Sequence, residues 1–119
     1  MKTPKIAVIG AGPAGIATSI QLKRFGYKPR LFEKDIAGGL LWNANLIENY
    51  PGFPNGISGP DLIDLMVMQL KQLKIKVEKL QITHLLFEDD YFQLNSDKGN
   101  TVVVEIAPVG CVSRRHRRR

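Results

Sequence analysis

Apolar and polar positions alternate in three different rhythms along the chain. Residues 5–9, KIAVI, form a short apolar stretch rich in β-branched side chains and predict a strand. GAGPAG (10–15) follows at once. IATSIQLKRFG (16–26) then carries apolar residues at Ile16, Ala17, Ile20, Leu22 and Phe25, which predicts an amphipathic helix with Gly26 as its C-cap. KPRLFEK (28–34) predicts a second strand, so the opening reads as a βαβ unit of about 30 residues. From 35 to 61 the periodicity lapses, although Leu40, Leu41, Trp42, Leu46, Ile47, Tyr50 and Phe53 are too apolar for a merely solvated loop. A helical spacing returns over 59–75, with Asp61 at the helix start and Leu62, Leu65, Met66, Leu70 and Leu73 on the apolar face. Met66 and Met68 read as packing and surface residues. The stretch 76–106 offers three strand-like runs with turns at Asp89-Asp90 and at Ser96–Asn100, the pattern of a three-stranded meander.

Composition narrows the classes. A chain of 119 residues, 44% hydrophobic and 24% charged, suits one globular domain and is too short for the two nucleotide-binding domains that hydride-shuttling enzymes ordinarily need. No apolar run approaches the roughly 18 residues that span a bilayer, and no signal peptide is visible, so a cytoplasmic location without membrane attachment is expected. The single cysteine, Cys111, cannot form an intramolecular disulfide, a C-x-x-C pair or a zinc cluster. The formal charge of +6 is concentrated: five of the seventeen Lys and Arg residues lie in RRHRRR (114–119), and without them it drops to +1. Residues 1–110 therefore read as the folded domain and 111–119 as a basic tail, which alone would carry any affinity for polyanions.

The glycines supply the candidate chemistry. Gly10 allows a sharp turn out of the first strand, Gly12 lets a pyrophosphate approach the backbone, and Gly15 allows the helix to pack closely on the sheet. Pro13 fits the first helical turn, whose free N–H groups favour phosphate. Glu33, 18 residues beyond Gly15, stands where a carboxylate accepts hydrogen bonds from an adenosine ribose. The bland alternatives are a ligand-free glycine turn and a surface pair between Glu33 and Lys34. These residues do not separate FAD from NAD(P). His84 reads as a strand residue and Glu88, Asp89 and Asp90 as a solvated turn, so no catalytic or metal-binding residue is assigned.

The order GAGPAG, FEK, GGLL, IENYPGFP and ISGPDL resembles the FAD-binding start of the thioredoxin reductase family, within the pyridine nucleotide-disulfide oxidoreductases, over about residues 5–100. The resemblance implies an α/β, Rossmann-like FAD-binding domain in three layers, with a parallel sheet and a three-stranded antiparallel meander, incomplete relative to full-length relatives. It places Gly10, Gly12, Pro13, Ala14, Gly15, Glu33, Lys34, Gly38, Gly39, Leu40 and Asn49 near FAD. Family members commonly carry Gln after the glycine pair, and Leu40 removes that polar contact. Asn49 is then the polar group expected beside the flavin, its alternative being a cap on its own turn.

After Thr101 relatives continue with an apolar strand ending in Ala-Thr-Gly and then an NAD(P)H domain bearing a redox C-x-x-C. This chain has VVVEIAPVGCVSRRHRRR, with Ala107 and Gly110 in keeping with part of that ending. The favoured expectation is the FAD-binding portion of a flavoprotein oxidoreductase that lacks the nicotinamide domain and does not turn over alone. A second expectation is a small FAD-binding subunit completed by a partner chain, or by a further copy, that covers exposed apolar surface. A third, a basic-tailed nucleic-acid-binding protein, rests on residues 114–119 alone.

Overall fold

Strands β1 (Ala7–Ile9), β2 (Arg30–Glu33) and β3 (Val77–Lys79) lie side by side in that order, all parallel. Ala7 is opposite Arg30 and Leu31 opposite Val77. The computed structural model describes residues 3–110, so the basic run 114–119 and Cys111 lie outside the described residues. Both faces of the sheet are covered, which is why KIAVI reads as a continuous apolar run rather than an alternating one. Ile6, Val8 and Leu31 pack with Ile16 of α1 (Pro13–Arg24) and with Leu62, Met66 and Leu70 of α2 (Gly59–Gln72). Ala7 and Phe32 point the other way, onto Leu94 and Val104 of the meander. Each fully buried aliphatic side chain contributes about 1.5–3 kcal/mol. Two clusters, one on each face, give the three layers their cohesion.

The meander is β4 (Ile82–Glu88), β5 (Tyr91–Ser96) and β6 (Thr101–Val104), antiparallel throughout. Asp89 and Asp90 form its first turn with φ of 52° and 65°. A two-residue hairpin requires that left-handed pair to match the twist of its strands. The first predicted run divides, because Val77–Lys79 belongs to the parallel sheet and only Ile82–Glu88 joins the meander. Period-2 patterning does not reveal that change of sheet.

The helices differ from expectation in which side chains they bury. In α1, Ser19 occupies the inner face, donating from Oγ to the Gly15 carbonyl at 2.8 Å, whereas Phe25 is exposed. In α2, Ile63 is buried and Leu65 exposed. Ser58, rather than Asp61, is the N-cap, accepting from the Asp61 N–H at 3.2 Å.

Both helices end in the same hydrogen-bonded motif. After α1, Gly26 (φ 94°) donates to Lys23 and Tyr27 to Leu22. After α2, Lys74 (φ 58°) donates to Lys71 and Ile75 to Leu70, so a lysine holds the left-handed position that glycine fills in α1.

Residues 105–110 lie along the free edge of β1 as a further parallel segment, with Ile6 opposite Ile106 and Ile9 opposite Val109. Ala7 N–H donates to Ile106 O at 3.0 Å, Ile9 N–H to Pro108 O at 2.9 Å, and Gly110 N–H to Ile9 O at 2.8 Å. The remaining rung, from residue 108 to the Ala7 carbonyl, is missing because proline has no N–H. The rungs are therefore too few and irregular to make a regular strand, yet they carry the chain back to the glycine turn.

Candidate functional site

At the carboxyl end of β1 the chain turns through Gly10 (φ 97°) and enters α1 after Gly12. The three motif glycines have three different explanations. Gly10 supplies a backbone conformation that other residues adopt only under strain. Gly15 faces Gly10: a Cβ there would stand 1.7 Å from the Gly10 carbonyl oxygen, so the fold itself excludes any side chain. Gly12 has ordinary extended angles (φ −78°, ψ −176°), and a Cβ would meet nothing within 4 Å. Among the described residues, nothing requires glycine at 12.

Open space in front of Gly12 coincides with free donors. Ile16 N–H donates to Gly12 O at 2.9 Å, beginning the helical ladder. Pro13 has no N–H, and among the described residues the N–H groups of Gly12, Ala14 and Gly15 donate to no protein acceptor. A helix start with three such donors is suited to an anion approaching along the backbone. The residues present thus fit a diphosphate by their shape and by their donors.

Glu33, at the end of β2, is only 9% exposed. Its Oε1 accepts from Ala11 N–H at 3.1 Å and its Oε2 from Asp35 N–H at 2.8 Å. The pairing with Lys34 weighed from the sequence does not form, since Lys34 is exposed and makes no ion pair among the described residues. Each carboxylate oxygen keeps a further lone pair for a hydroxyl donor. Glu33 thus anchors the glycine turn to β2 while remaining beside it.

The second glycine segment is tied to the first. Gly38 N–H donates to Ala11 O at 2.7 Å, and Gly38 (φ 96°) rests on Ile63, whose side chain would lie 2.5 Å from any Cβ. Gly39 opens a short 3-10 helix, Gly39–Asn43, that leaves Leu40 87% exposed. Gly59, which sequence reasoning passed over, lets α2 start against this helix: a Cβ there would stand 1.7 Å from Leu41 O.

Beyond it, Ile47 and Ile57 exchange backbone hydrogen bonds at 2.7 and 3.0 Å and close off residues 48–56. Tyr50 and Phe53 stack obliquely, their ring centroids 6.3 Å apart, in a shallow hollow of about 320 Å³ lined also by Glu48 and Asn49. Asn49 is exposed, and its amide makes no hydrogen bond among the described residues, so it does not cap its turn. Gly10, Gly12, Pro13, Ala14, Gly15, Glu33 and Gly38 thus form one connected cluster. Asn49 belongs to the separate hollow.

Gly110 is the site residue that sequence reasoning underweighted. A Cβ on it would lie 2.8 Å from Gly15 N and 3.1 Å from Gly10 O. The usable signal was a glycine closing the apolar run after β6, but Pro108 and Glu105 obscured that run as a strand.

Residues 4–107 match the family model described as pyridine nucleotide-disulphide oxidoreductase. A thioredoxin reductase of Chlamydia trachomatis is 40% identical over 101 residues, covering 82% of this chain and 32% of that protein. One of Rickettsia prowazekii is 34% identical over 98 residues, with the same coverage. Among solved structures, the thioredoxin reductase of Lactococcus lactis superposes with a TM-score of 0.81 at 27% identity, over 90% of this chain and 35% of that one. A ferredoxin-flavin thioredoxin reductase of Clostridium acetobutylicum gives 0.80 at 28%, over 92% and 37%. The chain spans about a third of the length of the relatives it matches. It belongs to the pyridine nucleotide-disulphide oxidoreductase family, as a segment homologous to part of the thioredoxin reductases.

Proposed function

We propose that this chain is the FAD-binding portion of a thioredoxin-reductase-like flavoprotein. The observation that carries the reading is Gly12, a glycine that no neighbour among the described residues requires, set before three backbone donors that have no protein acceptor among those residues. An external anion accounts for both features, and membership of the pyridine nucleotide-disulphide oxidoreductase family supports a dinucleotide as that anion. In this reading Gly12, Ala14 and Gly15 offer N–H groups to the diphosphate. Gly10 and Pro13 set their direction, and Glu33 receives the ribose hydroxyls with Lys34 at its side. Gly38, Gly39, Leu40 and Asn49 border the flavin half. Bound FAD supplies two-electron redox chemistry. The chain's own residues bind and orient it, while nicotinamide and disulfide sites belong to segments present in the longer relatives. Residues 1–110 are the binding domain and 111–119 an appended basic tail, in a protein of the cytoplasm.

A second reading, completion by a partner chain, is favoured by one observation. Ile36, Leu40, Trp42 and Leu46 are exposed in the segment beside the glycine turn, an apolar surface of the kind that further chain covers. Incubation with excess FAD, removal of free cofactor and a visible absorption spectrum test the principal reading. Retained flavin bands at about one flavin per chain are expected, and a colourless protein overturns autonomous binding.

A further inference from the structure

Strand β4 closes one side of the meander, and its outer edge has no neighbouring strand among the described residues. Every residue from Thr83 to Glu88 is exposed. Proteins ordinarily guard such edges with charge, proline or short length. The edge of β3 is guarded in this way, being three residues long with Lys76 before it and Lys79 at its end. β4 is seven residues long, and its central Leu85, Leu86 and Phe87 carry no charge.

The turn determines which backbone groups of β4 face outward. Asp89 and Asp90 are its two left-handed residues, so the flanking Glu88 and Tyr91 form a hydrogen-bonded pair. Pairing alternates from there: Leu86 with Gln93 is hydrogen-bonded again, whereas Phe87 opposite Phe92 and Leu85 opposite Leu94 are not. The N–H and C=O groups of Leu85 and Phe87 therefore point to the free edge. Their side chains lie on the face of Phe92 and Leu94, the Phe87 and Phe92 ring centroids being 4.8 Å apart. Leu94 is buried against Ala7 and Phe32, but Leu85 remains 41% exposed and Phe87 64%. The apolar face of the meander thus runs on past the layer that covers it.

We infer that two copies of this chain pair through β4, antiparallel about a two-fold axis at Leu86, so that two meanders become one six-stranded sheet. Several registers would let Leu85 and Phe87 bond to a second β4, and the side chains select this one. Leu85 lies opposite the partner's Phe87, Leu86 opposite the partner's Leu86, and His84 opposite the partner's Glu88, an imidazole beside a carboxylate. An axis at Leu85 would set Glu88 against the partner's Ile82, and an axis at Phe87 would set it against the partner's Leu86. Each of those registers packs a carboxylate on an apolar chain without a hydrogen-bond partner. Pairing over residues 84–88 also stops short of the irregularity between Ile82 and His84. The contact is isologous and closes at two copies. It uses neither the glycine turn nor the exposed apolar residues between 36 and 46.

Sedimentation velocity on the full chain, from about 5 to about 500 µM, tests the inference. So short an edge is a small interface, and a dimer with a dissociation constant of about 10–100 µM is expected. Leu86→Lys, on an exposed side chain, sets two like charges across the axis and is expected to weaken the dimer at least about tenfold. Glu88→Lys is expected to weaken it as well, and His84→Glu/Glu88→Lys to restore it, which serves if Leu86→Lys disturbs the circular dichroism spectrum. Opposed residues at the axis stand about 4.5 Å apart at Cα, within disulfide reach. In a Cys111→Ser background, Leu86→Cys is therefore expected to oxidise to a symmetric dimer at least about tenfold faster than His84→Cys. A monomer at every concentration, a dimer unchanged by Leu86→Lys and so held by another surface, or equal cross-linking at 84 and 86 overturns the inference.

Discussion

Gly12 and Gly15 are the same residue type three positions apart, yet among the described residues only Gly15 is required by its neighbours. Gly15→Ala drives a methyl group into the Gly10 carbonyl and is expected to cost about 3 kcal/mol or to prevent folding. Gly12→Ala meets open space at an ordinary backbone conformation, so its cost is expected to stay within about 1 kcal/mol, as for a weakened helix N-cap. The same methyl group stands where a diphosphate would approach, and retained flavin is expected to fall at least about tenfold. Urea denaturation and the flavin spectrum, measured on both variants, separate the two effects. Stability unchanged together with flavin unchanged in Gly12→Ala would remove the main support for the proposed site. The sequence made the positions of these glycines legible, because spacing and flanking elements agreed. It could not say which glycine the fold consumes, since that depends on the distance between two turns of backbone.

At the scale of the element, termini were easier to read than faces. Gly26 closes α1 as its position foretold. Lys74 closes α2 without any sequence signal, because an L-residue with positive φ breaks the local rule. Lys74→Gly is expected to stabilise the protein by about 0.5–1 kcal/mol, relieving the left-handed strain. It should appear as a higher urea midpoint at unchanged slope. Faces were misjudged where a small polar residue took an inner position. Ser19 is buried because its hydroxyl is satisfied within the helix, leaving Phe25 outside on the last turn. The order of strands was less legible still. Nothing in KVEKLQITHLLFE marks the point between Lys79 and Ile82 where the chain leaves one sheet for the other.

For the whole molecule, one lateral ion pair ties the second strand to the third. The hydrogen bond from Arg30 holds the Glu78 carboxyl below the ordinary glutamate range, against a smaller opposing effect of burial. A carboxyl lowered in the folded state stabilises fully at pH values above its unfolded pKa. That stabilisation is lost as pH falls through the folded value. Both side chains are partly exposed, so solvent limits the contribution to about 0.5–1 kcal/mol. Glu78→Gln is expected to lower stability by that amount at pH 7, with the difference vanishing in acid below the glutamate range. Parallel denaturation curves against pH would show it, and a constant difference at every pH would exclude the ion pair as its source. The arrangement of strands also bears on the order in which the protein can form. The first strand has neighbours on both sides, one supplied by residues 30–33 and the other by residues 105–110. During synthesis the amides of Ala7 and Ile9 therefore have no partners until about a hundred further residues have left the ribosome. A nascent chain halted at Val104 would present a bare apolar edge, a template for pairing with other chains until residues 105–110 cover it.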